Sequence, residues 1–179
     1  MNYFVFYDMP VSFQPDPAAV KKKFYELSKT YHPDFYVNES PEKQEEVLEL
    51  STLNNKAYHT LSDSVKIIPY VLELHGILSS EEKYALPNEF LMEMMEVNEA
   101  LMEQEFEPDA AALEKIRAQV IEIENDLNTE LTSYTTGYDI APEGEQEGLL
   151  KKIKEIHFRK KYLLRIKETI HTFASRPNG

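Results

Sequence analysis

The chain has 179 residues, enough for one large domain or two small ones, with 42% hydrophobic and 28% charged residues. Its formal net charge of −13 argues against nucleic acid or an anionic membrane surface as a partner of the whole chain, and favours a basic or apolar partner surface. It has no cysteine, which excludes disulfides, thiol catalysis and cysteine-ligated zinc.

The opening stretch, MNYFVFYDMP, lacks the basic region and cleavage site of a secretion signal. No apolar run approaches the roughly 20 residues of a membrane span. The expected location is the cytoplasm, with no membrane partner. Residues 3–7 are aromatic and β-branched, and read either as a short strand or as a buried helical turn. Asp16-Pro17 then opens a helix, as an N-cap followed by proline at the first position. Val20, Phe24, Leu27 and Tyr31 recur at helical spacing and form its apolar face. Lys22 and Lys29 lie on the opposite face, flanked by Lys21 and Lys23. Pro33 ends this helix, since it cannot continue one and biases His32 away from helical angles.

A second helix runs from about Pro41 to Leu61 with Ser40 as its cap, and Val47, Leu50, Asn54, Ala57, Tyr58 and Leu61 as its stripe. The two helices read as an antiparallel hairpin with residues 32–40 at one end. Residues 65–74 are apolar and helical in type, and end at His75-Gly76 with glycine just past the helix. Pro69 inside them is expected to kink the helix or delay its start. Residues 77–87 read as a linker. Three more helical stretches follow: residues 88 to about 104, one from near Asp109 with a seam at Leu113, Ile116, Val120, Ile123, Leu127, Leu131 and Tyr134, and a last one bearing Leu149, Ile153, Ile156, Leu163, Ile170 and Phe173. TTGYDIAPEGEQ, between the last two, reads as a loop because it is rich in Gly, Pro and polar residues. The fold class is all-α: a hairpin module at 1–76, a linker at 77–87 and a three-helix module at 88–175.

His32-Pro33-Asp34, set between two amphipathic helices and behind a lysine-bearing face, is the layout of a J-domain. Tyr3-Phe4, Met9-Pro10, Tyr31 through Asp34, Asn55 through Leu61, Tyr70 through Gly76 and Phe90-Leu91-Met92-Glu93 extend the likeness along the chain. On these residues the sequence resembles the HscB-type J-domain co-chaperones of iron–sulfur cluster assembly. The resemblance implies that His32, Pro33 and Asp34, with Lys21, Lys22, Lys23 and Lys29, dock on a DnaK/HscA-type heat-shock ATPase and stimulate it. Lysines on a solvent face suit an acidic partner surface, and a proline-stiffened tip lowers the ordering cost of binding. The plain alternative for the lysines is a solvated helix face. The sequence departs from the family pattern at Phe35, where most members carry lysine, and at Tyr25 and Glu26, Ile67 and Asn98.

Residues 90–102, FLMEMMEVNEALM, are apolar on two faces. Phe90, Met94, Val97 and Leu101 share one, and Leu91, Met92, Met95 and Met102 group on another. Either both faces are core, or the second is a partner surface of the kind methionine serves well. The resemblance implies that Leu91, Met92, Met95, Glu96, Glu99 and Phe158 bind an IscU-like iron–sulfur scaffold protein. Nothing in the sequence has metal-ligand spacing, a phosphate loop or a catalytic dyad. No cofactor, metal or nucleic-acid partner is expected, and no enzyme activity. The competing function is a general J-domain adaptor or helical binding scaffold with a different client.

Overall fold

The computed structural model describes residues 1–176. Their regular structure is all helical, as the sequence indicates: α1 (Tyr3–Phe6), α2 (Pro17–Thr30), α3 (Pro41–Leu61), α4 (Ile67–Leu74), α5 (Asn88–Phe106), α6 (Ala110–Ile140) and α7 (Glu143–Ala174), with a short 3₁₀ turn, Pro33–Tyr36, between α2 and α3. The chain divides into two compact units, Met1–Leu78 and a second that begins at Ser79.

In the first unit the aromatic start is a helical turn, α1, and not a strand. It closes with Asp8 in the left-handed region at φ 55°, which aspartate tolerates better than most residues. The Met9 N–H donates to Phe4 O and the Asp8 N–H to Val5 O, the double bond of a Schellman end. Gly76 ends α4 in the same way at φ 70°, with Ile77 N–H on Leu72 O and Gly76 N–H on Glu73 O. Pro69 does not kink α4. It falls in the first turn, where helix N–H groups have no internal partner, and the helix starts at Ile67 rather than Val65.

The core of this unit gathers Phe4, Tyr7, Phe13, Val20, Val47, Ala57, Leu61, Ile67, Val71 and Leu72. Asn54 is the polar exception, 1% exposed. Its Oδ1 accepts from the Tyr7 hydroxyl at 2.8 Å, and its Nδ2 donates to Phe24 O and Ser28 Oγ, each at 3.1 Å. One side chain on α3 thus holds the end of α1 and the middle of α2. Phe24 also stacks on Tyr58 at 4.2 Å between centroids.

The second unit is built on α6 and α7, helices of 31 and 32 residues. Ile116, Val120, Leu127 and Leu131 face Leu150, Ile153, Ile156, Leu163, Ile166 and Ile170 in its core, and α5 adds Phe90, Met94, Val97 and Leu101. Residues 135–140, expected in a loop, belong to α6, and only Ala141 and Pro142 separate it from α7. Thr135 and Tyr138 are buried and continue the apolar seam from Leu131, so packing overrides the helix cost of Gly137. Gln104 Oε1 accepts from the Asp109 N–H at 3.0 Å and holds the α5–α6 turn, while Asp109 caps α6.

Asn54→Ala would remove the carboxamide's bonds to Tyr7, Phe24 and Ser28 and leave the Tyr7 hydroxyl only the Asn54 backbone oxygen, at 3.1 Å. The expected cost is about 2–4 kcal/mol. Urea unfolding measures it, and an unchanged midpoint would show that the network contributes nothing.

Candidate partner-binding surfaces

The tip of the α2–α3 hairpin is ordered by its own bonds. Pro33 ends α2 and at the same time begins the 3₁₀ turn. His32 caps that turn: its Nδ1 accepts from the Asp34 N–H at 3.3 Å, with the Asp34 carboxylate 3.7 Å away. In the neutral ring this leaves the proton on Nε2, a donor for a partner. Two residues that the sequence reading left out fasten the tip to both helices. The Tyr36 hydroxyl donates to Thr30 O at 2.7 Å, and Gln44 Nε2 donates to Glu39 O at 2.9 Å and to Val37 O at 3.3 Å. No local sequence pattern announces either bond, because each depends on how the chain turns after Pro33.

The side chains of His32 and Asp34 are 52% and 84% exposed. Lys21, Lys22 and Lys29 are exposed, and Lys23 is half-buried. Among the described residues these lysines make no ion pair, although the chain carries 32 acidic residues against 19 basic ones. Lys21 lies 6.0 Å from the ring centroid of Tyr25, itself exposed.

In the second unit, α5 buries Phe90, Met94, Val97 and Leu101 and leaves Met92, Met95 and Met102 about 60% exposed or more (65%, 59% and 62%). Leu91 is half-buried at the edge, and Glu96 and Glu99 are exposed. The helix carries no lysine or arginine, and of its glutamates only Glu105 has an ion pair, with Arg176, among the described residues. Asn98 turns toward α7, where its Nδ2 donates to the Tyr162 hydroxyl at 3.2 Å. Phe158 is half-buried and one face of its ring is covered: Tyr84 stacks on it at 4.7 Å with the planes 2° apart. Lys154, paired with Glu82, lies 5.7 Å from the Tyr84 ring centroid. The structure therefore groups Met92, Met95, Glu96 and Glu99 on one exposed helix, and puts Phe158 under the segment that precedes it. Among the described residues no acid or histidine cluster could hold a metal ion, and no helix is long and apolar enough to cross a membrane.

Residues 86–171 match the model of the HSCB C-terminal oligomerisation domain family. Over almost its whole length the chain is also similar to the crystal structure of the human co-chaperone protein HscB, with 28% identity and a TM-score of 0.73, covering 98% of this chain and 83% of the human one. The chaperone HscB from Vibrio cholerae shares the fold at 24% identity and a TM-score of 0.58, covering 95% of this chain and 99% of that one.

His157 lies beside Phe158, half-buried, and burial followed by Lys161 and Lys160 holds its imidazole below the ordinary value of 6.5. As pH falls, the unfolded chain takes up this proton before the folded one does. The neutral ring's contribution to stability is complete above about pH 6.5 and is lost as the pH drops through the depressed folded value. His157→Gln is expected to flatten the acid-side fall of the urea midpoint between about pH 7 and pH 5. Parallel curves for the two proteins would exclude this histidine as a source of that fall.

Proposed function

The chain is of the HscB type, and from that premise we propose that it serves iron–sulfur cluster assembly as a co-chaperone with two docking surfaces, one for each partner. The hairpin tip docks on a DnaK/HscA-type heat-shock ATPase and raises its rate of ATP hydrolysis. The α5 face takes an IscU-like scaffold protein and presents it to that ATPase.

The observation that carries the first half is the set of unpaired lysines on α2 behind an exposed His32-Pro33-Asp34. In a chain of net charge −13, basic side chains left without carboxylates are available for another molecule's acids. The tip makes its own hydrogen bonds, so little ordering entropy remains to be lost on docking. No covalent chemistry is asked of this protein. It binds the ATPase in a state that hydrolyses faster, and that differential affinity is the whole of its effect.

The second half rests on the exposed methionines of α5 and the carboxylates beside them. Thioether side chains adapt to a client's shape, and Glu96 and Glu99 suit a client with basic groups at the rim. One observation favours the alternative of a different client: Phe158 is stacked under Tyr84, and Asn98 is engaged with Tyr162. If the scaffold takes the covered face of Phe158, Tyr84 must move aside.

Two measurements test this reading. Added to a purified DnaK/HscA-type ATPase, the protein should stimulate steady-state hydrolysis, and His32→Gln should lose the stimulation while folding normally. Adding scaffold protein should raise the rate further. Met95→Lys should weaken scaffold binding by about tenfold or more, measured by calorimetry, without altering stimulation in the scaffold's absence. Wild-type protein that leaves the ATPase rate unchanged would refute the first surface, and scaffold binding indifferent to Met95→Lys would refute the second.

A further inference from the structure

The hairpin tip carries an apolar group that the charge argument does not use. Phe35, directly after His32-Pro33-Asp34, is 74% exposed, and Val37 is 65% exposed. Single exposed apolar side chains are ordinary. Phe35 differs in that its backbone is fixed by the turn. Its ring meets that of His32 edge-on at 5.7 Å between centroids, and its N–H donates to His32 O at 3.1 Å. The bonds of Tyr36 to Thr30 and of Gln44 to Glu39 and Val37 brace the turn on either side. An aromatic ring has only two side-chain torsions to fix when a partner covers it, and such rings dominate the energetics of interfaces.

Resting on the reading that this tip docks on a heat-shock ATPase, we infer that Phe35 is an apolar anchor that enters an apolar pocket on that ATPase, rimmed by carboxylates that meet the α2 lysines. The two parts of the surface divide the work. Exposed lysines act at a distance and govern how fast the partners meet. A buried ring acts only in contact and governs how long they stay. Phe35 thus sets the concentration at which stimulation is half-maximal, and His32-Pro33-Asp34 sets how large the stimulation is. The edge-on contact makes the phenyl ring a neighbour of the imidazole, so a partner pocket that seats Phe35 also fixes where His32 falls.

The experiment is a titration of a purified DnaK/HscA-type ATPase with wild type, Phe35→Ala, Phe35→Leu and His32→Gln, at low and moderate salt. Exposure of Phe35 means that the variants should fold as the wild type does, which thermal melts check. For Phe35→Ala the half-maximal concentration should rise about tenfold while the plateau is kept, and Phe35→Leu should restore most of the affinity. Moderate salt should weaken all of them in proportion, since the lysines remain. A Phe35→Ala curve that overlays the wild type, with His32→Gln inactive, would overturn the anchor and leave the co-chaperone reading standing. So would loss of the plateau rather than of affinity, which would assign Phe35 to holding His32. No stimulation by wild type would overturn both.

Discussion

The carboxamide of Asn54 fixes the register of α2 against α3, the two helices that carry the hairpin tip. A stripe of apolar residues tells two helices to pack but tolerates sliding by a turn. A buried amide does not, because each of its polar atoms must find a partner at bonding distance. Asn54 finds Tyr7 on one side and Phe24 and Ser28 on the other, and only one alignment satisfies all of them. Slide α2 by a turn and a buried donor is orphaned. At the end of α2 the Tyr36 hydroxyl donates to Thr30 O at 2.7 Å and closes the turn from His32 to Tyr36.

Charge is distributed along the chain in a way that composition does not reveal. The acidic excess is concentrated on surfaces such as α5, which has no basic residue at all. The face of α2 holds four lysines, one of which, Lys21, lies 6.0 Å from the Tyr25 ring centroid. At physiological ionic strength fields decay over about 8 Å, so each surface presents its own sign to a partner and the net charge matters little at contact. An overall −13 chain can therefore offer a basic patch to one protein and an acidic, methionine-rich one to another.

Local chemistry explains which parts of this were legible in the sequence. The hairpin helices, their caps at Asp16 and Ser40 and the glycine end of α4 each follow from a few adjacent residues, and the structure has them there. The α5 pattern of Phe90, Met94, Val97 and Leu101 also survives, because a single helical face is a local property. TTGYDI was misread for the opposite reason. Glycine and threonine lower helix propensity locally, but α6 is held by α7 along its length, and burying Thr135 and Tyr138 outweighs that cost. The bracing of the tip by Tyr36 and Gln44, and the cover of Tyr84 on Phe158, join residues whose proximity only the folded chain creates.

The stacking of Tyr84 on Phe158 changes what it means to place Phe158 in a binding surface. The two rings lie 4.7 Å apart and nearly parallel, with the Lys154 ammonium 5.7 Å from the Tyr84 ring and paired with Glu82. A client that takes the covered face of Phe158 has to replace an aromatic stack, worth about 0.5–1.5 kcal/mol beyond area burial. The exposed methionines of α5 face no such competitor. Under the two-surface proposal, affinity for a client concentrates on Met92 and Met95, and Phe158 contributes only to the extent that the client's own group is a better stacking partner than Tyr84. On that proposal the covered ring would act as a filter, discriminating against clients that offer the methionines a greasy surface and nothing flat for Phe158.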